Sequence, residues 1–249
     1  MSSWRLLPPY DAGSSAQAFR SLDAVFALKG DKIARDPLSE VLRVSIGEQR
    51  YYLKRYRGAG KNPLRLWFGR PRVQAEWENL LAFQRWGIAT APVVAHGLER
   101  RWGAFRRGAL ITAELPATSD LAQLAAAADP RLRNPRWLDS VVSQLARATR
   151  ILHAHRFAHN DLKWRNVLVS EGENPELFLI DCPSGSYWWG PLLRYRIIKD
   201  LACLDKVAKY QLSRSWRLRF YLRYREQRRL TAADKDMIRR ILRFFDGRE

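Results

Sequence analysis

The octapeptide His159-Asn160-Asp161-Leu162-Lys163-Trp164-Arg165-Asn166, followed at once by Val167-Leu168-Val169, constrains this chain more than any other segment. It comes after residues 136–155, whose apolar positions recur at helical spacing, so it closes a helix-to-strand loop. An acid and an amide five residues apart in such a loop can share one site, Asp161 toward a nucleophile and Asn166 toward a cation. Twelve residues past the apolar run stands Asp181, at the end of the strand-like LFLID. That second carboxylate completes a set of oxygen ligands suited to a hard cation. Lys163, two residues after Asp161, can steady a migrating phosphoryl group.

Upstream, Lys54 falls inside a strand-like run, Tyr51-Tyr52-Leu53-Lys54-Arg55-Tyr56, where a charge is costly unless it is paired. Residues 71–86 predict a helix opened by Pro71 and closed by Gly87, with Val73, Trp77, Leu80 and Leu81 at helical spacing. Two of its carboxylates, Glu76 and Glu78, could meet Lys54. Glu76 shares a face with Val73, Leu80 and Phe83 and is preferred. A strand Lys, a helix Glu, a loop of form HxDxKxxN and a later metal-binding Asp are, in that order, the parts of the kinase fold. Asp161 and Lys163 would then be catalytic. Asn166 and Asp181 would take Mg²⁺, and Lys54, fixed by Glu76, would reach the phosphates of ATP.

Strand-like runs at 24–30, 39–46 and 50–57, with a turn at Gly47-Glu48-Gln49, precede that helix, and more strand follows at 93–96 and 106–113. Beyond Pro116 the pattern turns mainly helical, with an N-cap signal at Ser119-Asp120. The layout predicts an α+β, two-lobed, protein-kinase-like fold. Its β-rich N-lobe, with one helix, spans residues 1–115, and its short, mainly helical C-lobe spans 116–249.

Charge narrows the partners. The chain holds 44 Lys+Arg against 25 Asp+Glu, a net +19. Of this, residues 54–72 carry +7 and residues 192–249 carry +10. Within the second stretch, 214–229 interleaves seven arginines with Trp216, Phe220, Tyr221 and Tyr224. That pattern suits a solvated helix whose arginine stems cover an apolar stripe, or a docking face for phosphate-bearing lipid or nucleic acid. Two cysteines, Cys182 and Cys203, exclude a disulfide scaffold and a four-cysteine zinc site. His153, His155 and His159 have no apparent fourth ligand and read as helix-end and loop residues rather than a zinc set. No apolar run approaches the roughly 18 residues of a spanning helix, and the first residues lack the apolar core of a secretory signal. A soluble, cytoplasmic protein is expected.

With these residues in hand, the chain resembles the lipopolysaccharide kinase family, the Kdo and heptose kinases of the inner core. The resemblance runs from about residue 25 to the end. It is carried by YYLKRY, AEWENLLAFQRWGIATAP, LITAEL, HNDLKWRNVLV, LIDCP, RYRIIKDLACLDK and the tail RSWRLRFYLRYREQRRLTAADKDMIRRIL. It implies ATP-dependent transfer to a heptose or Kdo hydroxyl of lipid A–core, at the cytoplasmic face of a Gram-negative inner membrane. It also implies that Glu114 and Leu115, leading into the hinge, line the nucleotide.

The departures from protein kinases point the same way. There is no GxGxxG, so the phosphate-covering turn is expected over 30–37, with Gly30 its only glycine. Asn160 stands where HRD has its arginine, and Cys182 and Pro183 follow the metal Asp. Only 18 residues separate Asp181 from Asp200, the candidate anchor beneath the catalytic loop. An activation segment with a peptide platform would hardly fit there, which favours a sugar acceptor. An atypical protein kinase or another small-molecule phosphotransferase of this fold is the alternative. The basic stretches, with Trp67, Phe68, Trp188, Trp189 and Trp216, are expected to hold the protein on an anionic membrane surface. Arg217, Arg219, Arg223 and Arg225 are the expected docking charges, and nucleic acid is not the expected partner.

Overall fold

A computed structural model of the chain describes residues 2–60 and 63–247. Lys61, counted above in the first basic stretch, and Arg248 and Glu249, counted in the second, lie outside the described residues. The chain divides into two compact units, residues 1–82 with 91–115, and residues 83–90 with 116–249.

The first unit is built on strands β1 (Ser2–Leu6), β2 (Asp31–Arg35), β3 (Ser39–Ile46), β4 (Gln49–Tyr56), β5 (Val93–Arg101) and β6 (Ala104–Ala113). They form one antiparallel sheet in the order β1-β5-β6-β4-β3-β2. The β3–β4 hairpin turns through Gly47 and Glu48, with Ile46 opposite Gln49 and Gly47 at φ 61, a conformation glycine adopts without steric cost. Helices α1 (Gly13–Ala18), α2 (Leu22–Ala27) and α3 (Arg72–Arg85) complete the layer. Phe19, Leu22 and Val25 pack with Leu42, Val44, Tyr51, Leu53 and Ile111 in a buried cluster. Strand β4 alternates accordingly. Tyr51, Leu53 and Arg55 are buried, while Tyr52 and Lys54 are half-buried.

Residues 24–30 are not a strand. Ser21 caps α2 by accepting from the Ala24 N–H, and Leu22 and Val25, three apart, face the core. The apolar run that reads as alternation is therefore helical spacing over a short segment. Arg55, counted in the first basic stretch, meets the end of the same helix. It is buried and donates to the carbonyls of Val25 and Leu28 at the α2 C-terminus, so its charge closes a helix rather than the protein surface.

The second unit carries β7 (Thr118–Asp120), α4 (Leu121–Ala126), α5 (Pro135–Ala154), β8 (Phe157–Ala158), β9 (Val167–Ser170), β10 (Leu177–Leu179), β11 (Ser186–Tyr187), α6 (Gly190–Gln211), α7 (Arg214–Arg225) and α8 (Ala232–Leu242). Asp120 caps α4 and Asn134 caps α5, each accepting from backbone N–H groups. One face of α5, including Trp137, Val141, Leu145, Thr149 and Leu152, is buried. Ala146 of α5 packs with Ile198, Leu201, Tyr221, Tyr224 and Ile241 from α6, α7 and α8. Short antiparallel pairs β9–β10, β7–β9 and β8–β11 frame the loop that holds residues 159–166.

Candidate active site

In the sheet unit, Lys54 lies on the central strand β4 with β3 on one side and β6 on the other. Its Nζ is 2.9 Å from Glu76 Oε1, and both side chains are largely buried. Glu76, not Glu78, is therefore the partner. Glu78 faces outward, pairing with Arg70 at 3.0 Å and accepting from Gln74. Tyr56, two residues from Lys54 on the same strand, donates its hydroxyl to the second oxygen of Glu76. Sequence reasoning missed Tyr56, although the shared strand face was the available signal. Glu114 meets Tyr52 at 3.3 Å and Arg50 at 3.5 Å, and its N–H bonds the Arg50 carbonyl. Leu115 ends this unit.

Gly30 is not at a turn. It stands just before β2, where a Cβ would strike the Arg43 carbonyl and the Val44 side chain. The tip of the β2–β3 hairpin lies at 36–38 instead. There the Asp36 carboxylate accepts from the Leu38 and Ser39 N–H groups at 2.7 Å each. A short polar side chain thus builds the turn that a glycine run builds elsewhere.

In the helical unit, the octapeptide forms the loop and short turn that run from β8 into β9. Asp200 of α6 is fully buried, and its two oxygens accept the N–H groups of His159 at 2.7 Å and Asn160 at 2.8 Å. It anchors the loop. Asn160 takes φ 65, which asparagine tolerates, and its amide donates to the Ser184 carbonyl at 2.9 Å. The residue in place of the HRD arginine thus latches the loop to the segment following Asp181. Asp161 is 2.6 Å from Lys163 Nζ and 3.3 Å from Arg165 Nη2. Burial raises its carboxyl pKa, but the hydrogen bond and charge of Lys163, with the charge of Arg165, outweigh that and hold it below the usual carboxylate value. Asn166 is buried and donates to the Asp161 carbonyl at 2.8 Å, and its own carbonyl accepts from Ile180 at 3.0 Å. That bond ties the residue before Asp181 to Asn166. Asp181 itself takes φ 56. A carboxylate and an amide oxygen are hard donors of the type Mg²⁺ takes beside phosphate oxygens. No group of three His, Cys, Asp or Glu side chains suited to a metal occurs among the described residues.

The three histidines have separate roles. His155 stacks on Trp86 at 4.3 Å, while His153 bonds Tyr224 and approaches Asp200. His159 is fully buried, and burial pushes its pKa down. Cys182 is buried, and burial lifts the Cys203 thiol to about 11, so both behave as packed small groups.

The four expected docking arginines are not free. Arg217 makes a bidentate pair with Asp205 at 2.7 Å, and Arg223 holds Asp139 at 2.9 and 3.0 Å. Arg219 reaches the same Asp139 at 3.4 Å, and Arg225 reaches the buried Asp234 at 3.1 Å. They fasten α7 to α5, α6 and α8. Trp188 and Trp216 lie half-buried under Arg196 and Arg219, whereas Trp67, Phe68 and Trp189 are exposed.

No match was found among curated protein sequences. Among solved structures, "WaaP in complex with acyl carrier protein" is similar over 98% of each chain, with a TM-score of 0.78 and 23% identity. "Crystal structure of BubR1 kinase domain" covers 62% of this chain and 45% of that one, at a TM-score of 0.44 and 14% identity. The model of the lipopolysaccharide kinase (Kdo/WaaP) family matches residues 27–235. The chain belongs to the Kdo/WaaP lipopolysaccharide kinase family.

Proposed function

We propose that the chain transfers the γ-phosphoryl group of ATP to a heptose or Kdo hydroxyl of the lipopolysaccharide inner core. Asp161, kept ionised by Lys163 and Arg165 on a loop anchored by Asp200, supports this reading most directly. Asp161 would orient the acceptor hydroxyl and take its proton, and Lys163 would meet the transferring group. Lys54, held by Glu76 and Tyr56, would reach the nucleotide phosphates. Asn166 and Asp181 would hold Mg²⁺, which when bound neutralises charge on those phosphates. Asp161→Asn should leave ATP binding intact and lower turnover by about 10²–10⁴-fold. Mass spectrometry of core oligosaccharide from cells lacking the protein should show one phosphate missing. An unchanged core would refute the acceptor assignment.

A protein partner is the second proposal. The structure bounded by α5, α6, α7 and α8 contains a cavity of about 580 Å³. Leu145, Leu204, Leu218 and Ile238 line it, and Arg214 stands among its lining residues. An apolar space lined by Arg214 and by the Arg217–Asp205 pair suits the acyl chain of an acyl carrier protein, the partner in the similar WaaP structure. Pull-down of purified acyl and unacylated carrier protein tests this. Acyl-dependent capture is expected, and capture of neither form would reject it.

A further inference from the structure

Tyr224, on α7, stands at one end of a buried chain of hydrogen bonds whose other end is the catalytic loop. Its hydroxyl is 2.9 Å from His153 Nδ1 near the end of α5, and His153 Nε2 is 3.5 Å from Asp200 Oδ2 on α6. Asp200 in turn holds the N–H groups of His159 and Asn160. All three side chains are buried. No lysine or arginine pairs with Asp200 among the described residues, so His153 is the ring that faces this buried carboxylate.

The proton positions follow from the neighbours. The Asp200 carboxylate facing Nε2 can only accept, so the ring proton sits there and Nδ1 accepts from the Tyr224 hydroxyl, whose pKa burial pushes up to about 12. The bond at one ring nitrogen thus sets the state of the other. Without the hydroxyl, Nδ1 is left buried and unpaired, and the opposite tautomer would turn an Nε2 lone pair toward the carboxylate. The ring packing is a separate matter. Tyr224 meets His153 edge-on at 5.5 Å, a contact that phenylalanine retains.

We propose that Tyr224 is a positioning residue for phosphoryl transfer. Through His153 it fixes the carboxylate that holds the backbone leading to Asp161, and so ties the tail helix to the catalytic loop. This rests on the reading of Asp161 as the base.

The test uses the full-length chain and its Tyr224→Phe, His153→Gln and doubly substituted forms. Glutamine places an amide donor near the Nε2 position without needing Tyr224. Tyr224→Phe should lower kcat by roughly 3- to 10-fold, the scale of one net hydrogen bond, with the KM for ATP unchanged within about twofold. Amide exchange in the peptide 157–163 should quicken in parallel. The double variant should regain most of the lost kcat and the slow exchange. Wild-type kcat in Tyr224→Phe, unchanged loop exchange, or a further loss in the double variant would each overturn the proposal. If the wild type transfers no phosphate to core sugar while exchange responds as expected, the functional reading fails and the positioning link stands.

Discussion

Asp161 is held between opposing influences, and their balance has a measurable sign. Its pKa is lowered overall, so the base stays ionised well into acid, and kcat/KM should fall only as pH drops through that low value. Lys163→Met removes the closest lowering contact and leaves burial, so the acid limb should move to higher pH. The stability sign agrees. A carboxyl depressed on folding adds stability above its unfolded pKa, and that stability is lost as pH falls through the folded value. An acid limb at the wild-type position in Lys163→Met would show that Asp161 is not the titrating base. Glu76 and Glu78 make a second contrast. Glu76→Gln breaks a largely buried pair and should cost about 3 kcal/mol in urea unfolding, whereas Glu78→Gln loses a half-exposed pair worth under about 1 kcal/mol. Equal losses would contradict the pairing. Asp161, Asn166, Asp181 and Lys54 were legible in the sequence as candidates, because their chemistry narrows the residue types that can serve. Tyr224 was not, since its partner lies 71 residues away and a tyrosine in an amphipathic helix reads as packing.

At the scale of elements, short-range signals succeeded where they were dense. Asp120 marks a helix start, and Pro71 with Gly87 brackets α3, whereas the Asn134 cap of α5 was not read. Strand β1 escaped notice because it pairs with β5, far along the chain, and depends on Gly97, where any side chain would collide with Ser3. Helix α7 was legible as basic but not as fastened, since its acidic partners come from three other helices. That arrangement predicts a stability effect. Replacing Arg217, Arg219, Arg223 and Arg225 with glutamine should lower stability by a few kcal/mol in sum, at about 1 kcal/mol or less per half-exposed pair. Asp234→Ala should cost about 1–2 kcal/mol by itself, because it removes the capping box of α8 as well as the Arg225 pair. Thermal unfolding checks both. An unchanged Tm in the quadruple variant would return those arginines to the role of surface charge.

At the scale of the whole molecule, the net charge of +19 remains after these internal pairs are taken into account, because pairing moves no charge off the chain. What changes is which cations face a partner. Arg228 and Arg229 are exposed, and no ion pair involves them among the described residues. Trp67, Phe68 and Trp189 are exposed aromatics of the kind that settle at a lipid interface. No helix of the described residues is long and apolar enough to cross a membrane. Each surface cation near an anionic leaflet contributes roughly 1 kcal/mol, and salt screens that attraction beyond about 8 Å at physiological ionic strength. Co-sedimentation with phosphatidylserine-containing vesicles should therefore fall as salt rises. Arg228→Gln with Arg229→Gln should reduce it by roughly tenfold at low salt without moving Tm, the reverse of the α7 quadruple variant. Trp67→Ser with Phe68→Ser should instead weaken the salt-resistant part, since burying those rings does not depend on charge. Vesicle binding that is absent at low salt, or that survives both pairs of substitutions, would reject the proposal that these residues meet an anionic membrane.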